Sequence, residues 1–134
     1  MGRQSNLTGR TELWASGAEA VARRPFLGWS FDSMASVLSK DIISYAQFHD
    51  GYLNLVVSGG FMGLIMFILI LFRYVRLSKH ILKTEYAATV SMAILVMSIL
   101  IHNISEASIM RVTHPLWLIF ILCYFYVDNL ATRS

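Results

Sequence analysis

The stretch GYLNLVVSGGFMGLIMFILILF (residues 51–72) contains 22 consecutive residues without Asp, Glu, Lys or Arg. An α-helix rises about 1.5 Å per residue, so about 20 such residues cross the hydrocarbon core of a bilayer. Two further uncharged runs follow, over residues 86–105 and 112–127. The sequence therefore predicts three transmembrane helices, at about 51–72, 86–105 and 112–130, the last with its final residues at the membrane interface.

The composition supports a membrane protein. Of the 134 residues, 56% are hydrophobic and 14% are charged, whereas soluble domains contain about 25% charged residues. We therefore expect an all-α integral membrane protein, in which a polar outer region (residues 1–50) with a short amphipathic helix precedes a three-helix region (residues 51–130). The net charge of +3 comes from basic residues that form no stripe. This argues against a nucleic-acid partner and leaves membrane lipid as one partner.

The polar region contains one clear helical pattern. TELWASGAEAVARR (residues 11–24) offers Thr11 as a helix cap, and Pro25 prevents the helix from continuing. Pro25 and Gly28 then favour a turn, whose large apolar side chains suit the headgroup depth of a bilayer. The weakly apolar face of the helix consists of Leu13, Gly17, Ala20 and Val21.

Charge predicts the topology. The loop at residues 73–85 carries four basic residues and one acidic residue, whereas Arg111 is the only Lys or Arg in the loop at residues 103–114, which also carries Glu106. Short loops rich in Lys and Arg stay in the cytoplasm, so we expect the 73–85 loop there. The first 50 residues and the 103–114 loop then share the outer face. This side would hold the chemically interesting residues His49, Arg10, Arg24, Glu106 and Arg111.

His49 is a candidate general base at the boundary between the polar region and the first span. A histidine in that position is most often an interfacial polar residue. An imidazole can also accept a proton near neutral pH. The histidines of the chain lie far apart and lack a set of spaced carboxylates, so we expect no metal site and no cofactor.

Arginines form the second candidate set. The guanidinium forks of Arg10, Arg23, Arg24 and Arg111 match phosphate oxygens, although each could instead be a solvated loop charge or a headgroup contact. Glu106 follows the second apolar run, where an ionisable residue is costly and tends to be functional or paired. Arg111 is near enough in sequence to be its partner.

Three glycines interrupt the first span: Gly59, Gly60 and Gly63. Small residues let transmembrane helices approach one another closely. We therefore expect these glycines to form a helix-packing face.

Several motifs occur in a fixed order. LTGRTELWASGAEAVARRPFLGWSFDSM (residues 7–34) contains Gly-Arg-Thr-x-x-Trp and then a basic residue before Pro-x-x-Gly-Trp. FHDGYLNLVVSGGFMGLIMF (residues 48–67) places His49 before Tyr-Leu and a glycine-rich helix, and SEASIMR (residues 105–111) follows later. Over residues 8–72 this order resembles the C-terminal half of the bacterial O-antigen ligase and polysaccharide polymerase superfamily. The likeness is greatest to exopolysaccharide polymerases of the succinoglycan type.

The resemblance implies a glycosyltransferase of the bacterial inner membrane, multi-pass, with its active face in the periplasm. Such enzymes take a glycan from an undecaprenyl diphosphate carrier and join it to an acceptor hydroxyl, without a metal or cofactor. By matching position, the resemblance implies catalytic roles for His49, Arg10 and Arg24. The substrate-binding candidates are Arg23, Glu106 and Arg111.

Two departures from the family pattern bear on this expectation. The usual His-Asn is His49-Asp50 here, and Asp50 could either orient the imidazole or repel a diphosphate. The family also has further helices before this region, so we expect a fragment, a truncated frame or one part of a split protein that packs against other membrane helices. The alternatives are a non-catalytic small membrane subunit or a remnant without function. The sequence leaves open the sugar, the acceptor, and the choice between ligase and polymerase.

Overall fold

All regular secondary structure in the described residues is α-helical. The computed structural model describes residues 7–29, 48–111 and 113–133. By its internal contacts the chain divides into a first unit (residues 1–65 with 104–107) and a second unit (residues 66–103 with 108–134). The helices are α1 (Leu7–Arg23), α2 (Gly51–Ile81), α3 (Tyr86–His102) and α4 (Pro115–Arg133). The predicted all-α class is thus confirmed for this part of the chain.

Helix α1 has the predicted apolar face but starts earlier than predicted. Leu13 and Ala20 are 4% and 1% exposed, and the helix ends at Arg23, just before Pro25. The prediction that Thr11 caps the helix was wrong, because the helix already begins at Leu7. Residues 7–10 can be helical although the apolar face does not extend to them, because leucine and arginine favour a helix.

The core of the first unit joins α1 to the beginning of α2. Its buried members are contributed by α1, by the residue before His49 and by α2. Gly17 lets α2 approach, since a Cβ at that position would lie 2.8 Å from a methyl carbon of Leu53. The cluster consists of Leu13, Ala20, Phe48 and Val57, with Val21, Trp29 and Leu53 packed against it.

Helix α2 is longer than the apolar run that predicted it. It continues to Ile81, so the predicted loop at residues 73–85 is largely helical, and only residues 82–85 connect α2 to α3. The prediction of a loop starting at Arg73 was therefore wrong. Arginine, leucine and lysine form helices readily, and positive charge is favourable near a helix C-terminus.

A break in α2 separates it into two helical segments. Gly60 has φ 61° and ψ −164°, a backbone conformation that is essentially restricted to glycine. Such a break leaves N–H groups without helical partners. Here the N–H groups of Phe61 and Met62 donate to the carbonyl oxygens of Pro25 and Phe26, at 2.7 and 3.1 Å.

The turn that follows α1 is thus bound to the break by main-chain hydrogen bonds. The Trp29 N–H also donates to the Val57 carbonyl at 2.9 Å. Gly28 has φ 64°, and a Cβ there would lie 2.6 Å from the Ser58 carbonyl oxygen. The contact between turn and helix therefore requires glycine at residue 28.

The predicted helix-packing role of the glycines was wrong for Gly60, because the element that approaches it is this turn. Gly59 has open space around it among the described residues, and a Cβ on Gly63 would make ordinary contact with Leu55.

In the second unit, α3 packs against α4, and α4 contacts the later part of α2. Arg73 of α2 donates a hydrogen bond to Asp128 of α4 at 2.8 Å. Helix α4 begins at Pro115 rather than at residue 112, since proline suits the first position of a helix. Helix α3 ends at His102 rather than at residue 105.

Among the described residues, α2 and α4 are long and apolar enough to cross a membrane. Only 22% and 17% of the spanning stretches of α2 and α4 are buried, and their exposed side chains include Phe72 and Leu122 at 65% and 67%. Apolar surface of this extent suits lipid rather than water. Helix α3 is apolar but shorter, with 17 residues, so the count of three spans stays a prediction.

Candidate functional site

His49 lies in the connection immediately before α2. Its φ of 51° is left-handed, a conformation in which histidine, asparagine and aspartate are enriched among the non-glycine residues. Phe48 before it is 1% exposed in the core of the first unit, whereas the His49 side chain is half exposed. The backbone therefore buries the phenyl ring and presents the imidazole to the surroundings.

Asp50 caps α2. Its Oδ1 accepts hydrogen bonds from the N–H groups of Tyr52 and Leu53, both at 2.9 Å. A carboxylate in this position satisfies N–H groups that the helix leaves without partners, and it faces the positive end of the helix dipole. Asparagine caps a helix about equally well. The departure from His-Asn to His49-Asp50 therefore preserves a structural function, and the cap explains Asp50 without a role toward imidazole or diphosphate.

Glu106 is the acidic neighbour of His49. Its Oε2 lies 3.5 Å from His49 Nδ1, and both side chains are about half exposed. Residues 104–107 belong to the same unit as His49, and the prediction that the 103–114 loop and the polar region share the outer face stays a prediction. Arg111 belongs to the second unit, so its predicted pairing with Glu106 stays a prediction.

The loop that carries Glu106 is closed by Asn103, which is fully buried. The Asn103 amide donates to the Ile99 carbonyl at 2.7 Å, and its Oδ1 accepts from the N–H groups of Ser108 and Ile109 at 2.8 and 3.0 Å. A buried amide with its bonds satisfied in this way fixes the local backbone. The two ends of the Glu106 loop are thereby held together.

Arg24 lies over an aromatic ring. Its guanidinium carbon is 4.3 Å from the centre of the Trp29 ring, a geometry that orients the cation and stabilises it modestly. The Trp29 indole N–H donates to the Ala20 carbonyl at 2.9 Å, which fixes the ring against the end of α1. The motif of a basic residue before Pro-x-x-Gly-Trp is thus a self-contained turn in which the tryptophan supports the arginine.

The other predicted arginines differ in their surroundings. Arg23 pairs with Glu19 one turn earlier on α1, with both side chains about half exposed. Arg24 makes no ion pair with any residue in the described ranges. Arg10 lies on α1, but its side chain is outside the described part. Arg111 is half-buried, and its N–H donates to the Ser108 carbonyl at 3.3 Å.

The structure therefore brings His49 and Glu106 together and places Arg24 in the same unit. Both His49 and Arg24 adjoin the core of that unit, one through Phe48 and the other through Trp29. Neither the role of Trp29 as a platform nor the approach of Glu106 to His49 was predicted from the sequence. The spacing of Arg24 and Trp29 around a Pro–Gly turn could have revealed the platform. No local signal in the sequence reveals the approach of Glu106.

No metal site is visible in residues 7–29, 48–111 and 113–133, where no three His, Cys, Asp or Glu side chains come together. The expected absence of a metal stays a prediction.

Comparison with protein families gives one match. The family model described as O-antigen ligase matches residues 1–68, which is half of the chain. The chain belongs to the O-antigen ligase family. The matched region contains α1, the Pro25–Trp29 turn, His49 and the break at Gly60, whereas the loop that carries Glu106 lies outside it. Neither the curated proteins nor the solved structures contain a match to the chain.

Membership in this family associates the chain with O-antigen ligation or polymerisation at a membrane, and the family acts on lipid-linked glycans. The two long apolar helices agree with a membrane location. The greater likeness to succinoglycan-type polymerases stays a prediction.

Proposed function

We propose that the chain is part of a glycosyltransferase that transfers or polymerises glycan from an undecaprenyl diphosphate carrier during synthesis of exopolysaccharide or O-antigen. The proposed site faces the periplasm at the bacterial inner membrane, and α3 crosses the membrane as a third span. The family match over residues 1–68 supports this proposal. The single observation that carries it is the half-exposed imidazole of His49, 3.5 Å from Glu106, at the start of a long apolar helix.

In the proposed reaction one bond forms at the anomeric carbon, one breaks there, and one proton is transferred. The acceptor hydroxyl oxygen forms a bond to the anomeric carbon of the carrier-linked sugar, and the bond from that carbon to the diphosphate oxygen breaks. His49 Nε2 takes the hydroxyl proton as the new bond forms. The diphosphate leaves with the electron pair and remains on the lipid. A lipid-linked donor explains why the base lies where a polar region meets a membrane helix.

The arginines would stabilise the leaving group. A guanidinium directed at the diphosphate is most effective when charge develops on the departing oxygen. Arg24 is suited to this role because Trp29 fixes its orientation, and Arg10 is its proposed partner by family position. Arg23 and Arg111 would bind the glycan or the carrier phosphates more peripherally.

Glu106 would act as a positioning residue for His49, in addition to its expected place in substrate binding. A carboxylate near Nδ1 favours the tautomer with its proton on that nitrogen, and this leaves Nε2 as the base. The 3.5 Å separation is longer than a strong hydrogen bond. Catalytic hydrogen bonds are often long before substrate binds and shorten in the complex.

The proposal is tested first by complementation. Cells that lack the parent gene would receive this chain, either alone or together with the additional helices found in the family, and surface polysaccharide would be measured. Restored polymer that depends on His49 supports the transferase. Polymer restored equally by His49→Asn identifies a non-catalytic subunit, and failure under both conditions identifies a remnant.

Topology is tested separately by cysteine labelling in a Cys123→Ser background. Ser78 is buried, so Thr84, which is exposed in the α2–α3 connection, is the better position for the cytoplasmic probe. Thr113, exposed before α4, reports on the opposite side. We expect an impermeant reagent added to intact spheroplasts to label Thr113→Cys and not Thr84→Cys. The reverse pattern contradicts a periplasmic site.

A further inference from the structure

The second unit contains two adjacent cavities of opposite character. One, of about 350 Å³, lies between the later part of α2 and the first turns of α3 and is apolar over its whole surface; Val75, Ala93 and Val96 are among its lining residues. The other, of about 690 Å³, is lined by basic side chains, including Arg76 and His80. Lys79 lines both. The two cavities together therefore resemble a binding site for a lipid, with an apolar groove for an acyl chain next to basic side chains for a headgroup.

The basic cavity is well suited to a negatively charged head. Arg73 is paired with Asp128, but Arg76 and Lys79 have no ion-pair partner among the described residues. The uncharged run of α2 ends at Phe72, and the basic residues of the helix all lie after that position. Its last turns therefore reach headgroup depth if the apolar run spans the bilayer. Lysine and arginine in this position attract anionic lipids.

We propose that these cavities form a binding site for an anionic glycerophospholipid. One acyl chain lies in the groove between α2 and α3, and the phosphate contacts Lys79 and Arg76. This site is separate from His49 and belongs to the second unit. It goes beyond the proposed function and does not depend on it, since it requires binding rather than glycan transfer.

Lipid selectivity measured by electron paramagnetic resonance tests the site. The full chain would be reconstituted in phosphatidylcholine vesicles with either spin-labelled phosphatidylglycerol or spin-labelled phosphatidylcholine, and the immobilised fraction of each label compared. We expect a several-fold preference for phosphatidylglycerol. Equal immobilisation of the two lipids overturns the proposal.

Matched variants separate a built site from general attraction. Lys79→Gln and Lys83→Gln remove the same charge from exposed positions near the end of α2, but only Lys79 lines the cavities. We expect Lys79→Gln to abolish most of the preference and Lys83→Gln to retain it. Equal losses would show that charge alone attracts the lipid and would overturn the proposal.

The groove is tested by Ala93→Phe, which fills it and leaves every basic residue in place. We expect a several-fold loss of immobilised phosphatidylglycerol. Binding that survives Ala93→Phe in a helical protein, or that is displaced by inorganic phosphate, would mean that the headgroup binds without the chain and would contradict the site. If Ala93→Phe does not fold, the lysine pair decides the question, because both lysines are exposed.

Discussion

His49 Nδ1 lies 3.5 Å from Glu106 Oε2, although the two residues are separated in sequence by the whole of α2 and α3. The fold achieves this approach with two local devices. Asp50 caps α2 directly after His49, and Asn103 closes the loop that carries Glu106. A capping residue and a buried residue thus hold the backbone beside His49 and Glu106, and the two side chains remain about half exposed.

The role of Glu106 can be separated from simple structural support. Glu106→Gln keeps the size of the side chain and removes its charge, so we expect kcat to fall by about tenfold or more with little change in KM. Glu106→Asp should recover part of the rate. A matching rise in KM with unchanged kcat would assign Glu106 to substrate binding alone, as the sequence analysis proposed.

Asp50 should tolerate loss of its charge. Since its oxygen caps α2, Asp50→Asn should retain near-normal glycan transfer, whereas Asp50→Ala should lower stability by about 1 kcal/mol. Thermal unfolding in detergent, followed by circular dichroism, measures the second effect. If Asp50→Asn abolishes transfer while the protein remains folded, Asp50 has an electrostatic role that capping does not explain.

The break at Gly60 provides a stability test with a control next to it. Gly60→Ala places a side chain on a residue with positive φ and against the Phe26 carbonyl. We therefore expect the free energy of unfolding to fall by at least about 1–3 kcal/mol. Gly59→Ala enters open space in a helix and should be neutral or stabilising by up to about 1 kcal/mol. Equal effects of the two substitutions would mean that the Pro25–Trp29 turn does not bind at the break.

The neighbouring arginines should differ sharply in activity. Arg24 is oriented by Trp29, whereas Arg23 is paired with Glu19. Removing one donor that stabilises developing negative charge typically lowers kcat by about 10²–10³, and we expect a loss of this size for Arg24→Ala. Arg23→Ala should lower the rate much less, because Glu19 already pairs with that guanidinium. Comparable losses would remove the distinction between them.

The helices of this chain could be predicted largely from its apolar runs. Uncharged runs are long because hydrocarbon excludes charge, so the positions of α2, α3 and α4 follow from composition. The ends of these helices were predicted less accurately. Residues 73–81 carry the charges of a loop but remain helical, and α4 begins at Pro115 and extends to Arg133.

The site itself was only partly accessible from sequence. His49 and Arg24 stand out because their motifs are local and resemble a family. The break at Gly60 does not stand out in the sequence, because Gly59, Gly60 and Gly63 look equivalent there. Gly60 is distinguished only by the Pro25–Trp29 turn that binds beside it. The approach of Glu106 to His49 is a long-range contact that no spacing in a single sequence encodes.

The central claim is that His49 is the base of a transfer from a lipid-linked glycan, and transfer in isolated membranes tests it most directly. His49→Asn removes the base but keeps a residue that tolerates the left-handed backbone. His114→Asn is the control, because asparagine can replace His114 in accepting the hydrogen bond from the Leu116 N–H.

We expect membranes with His49→Asn to accumulate undecaprenyl diphosphate-linked glycan and to form about 10²–10⁴-fold less product, while His114→Asn behaves as the unmodified chain does. Product formation by a folded His49→Asn protein at the unmodified rate would contradict the account.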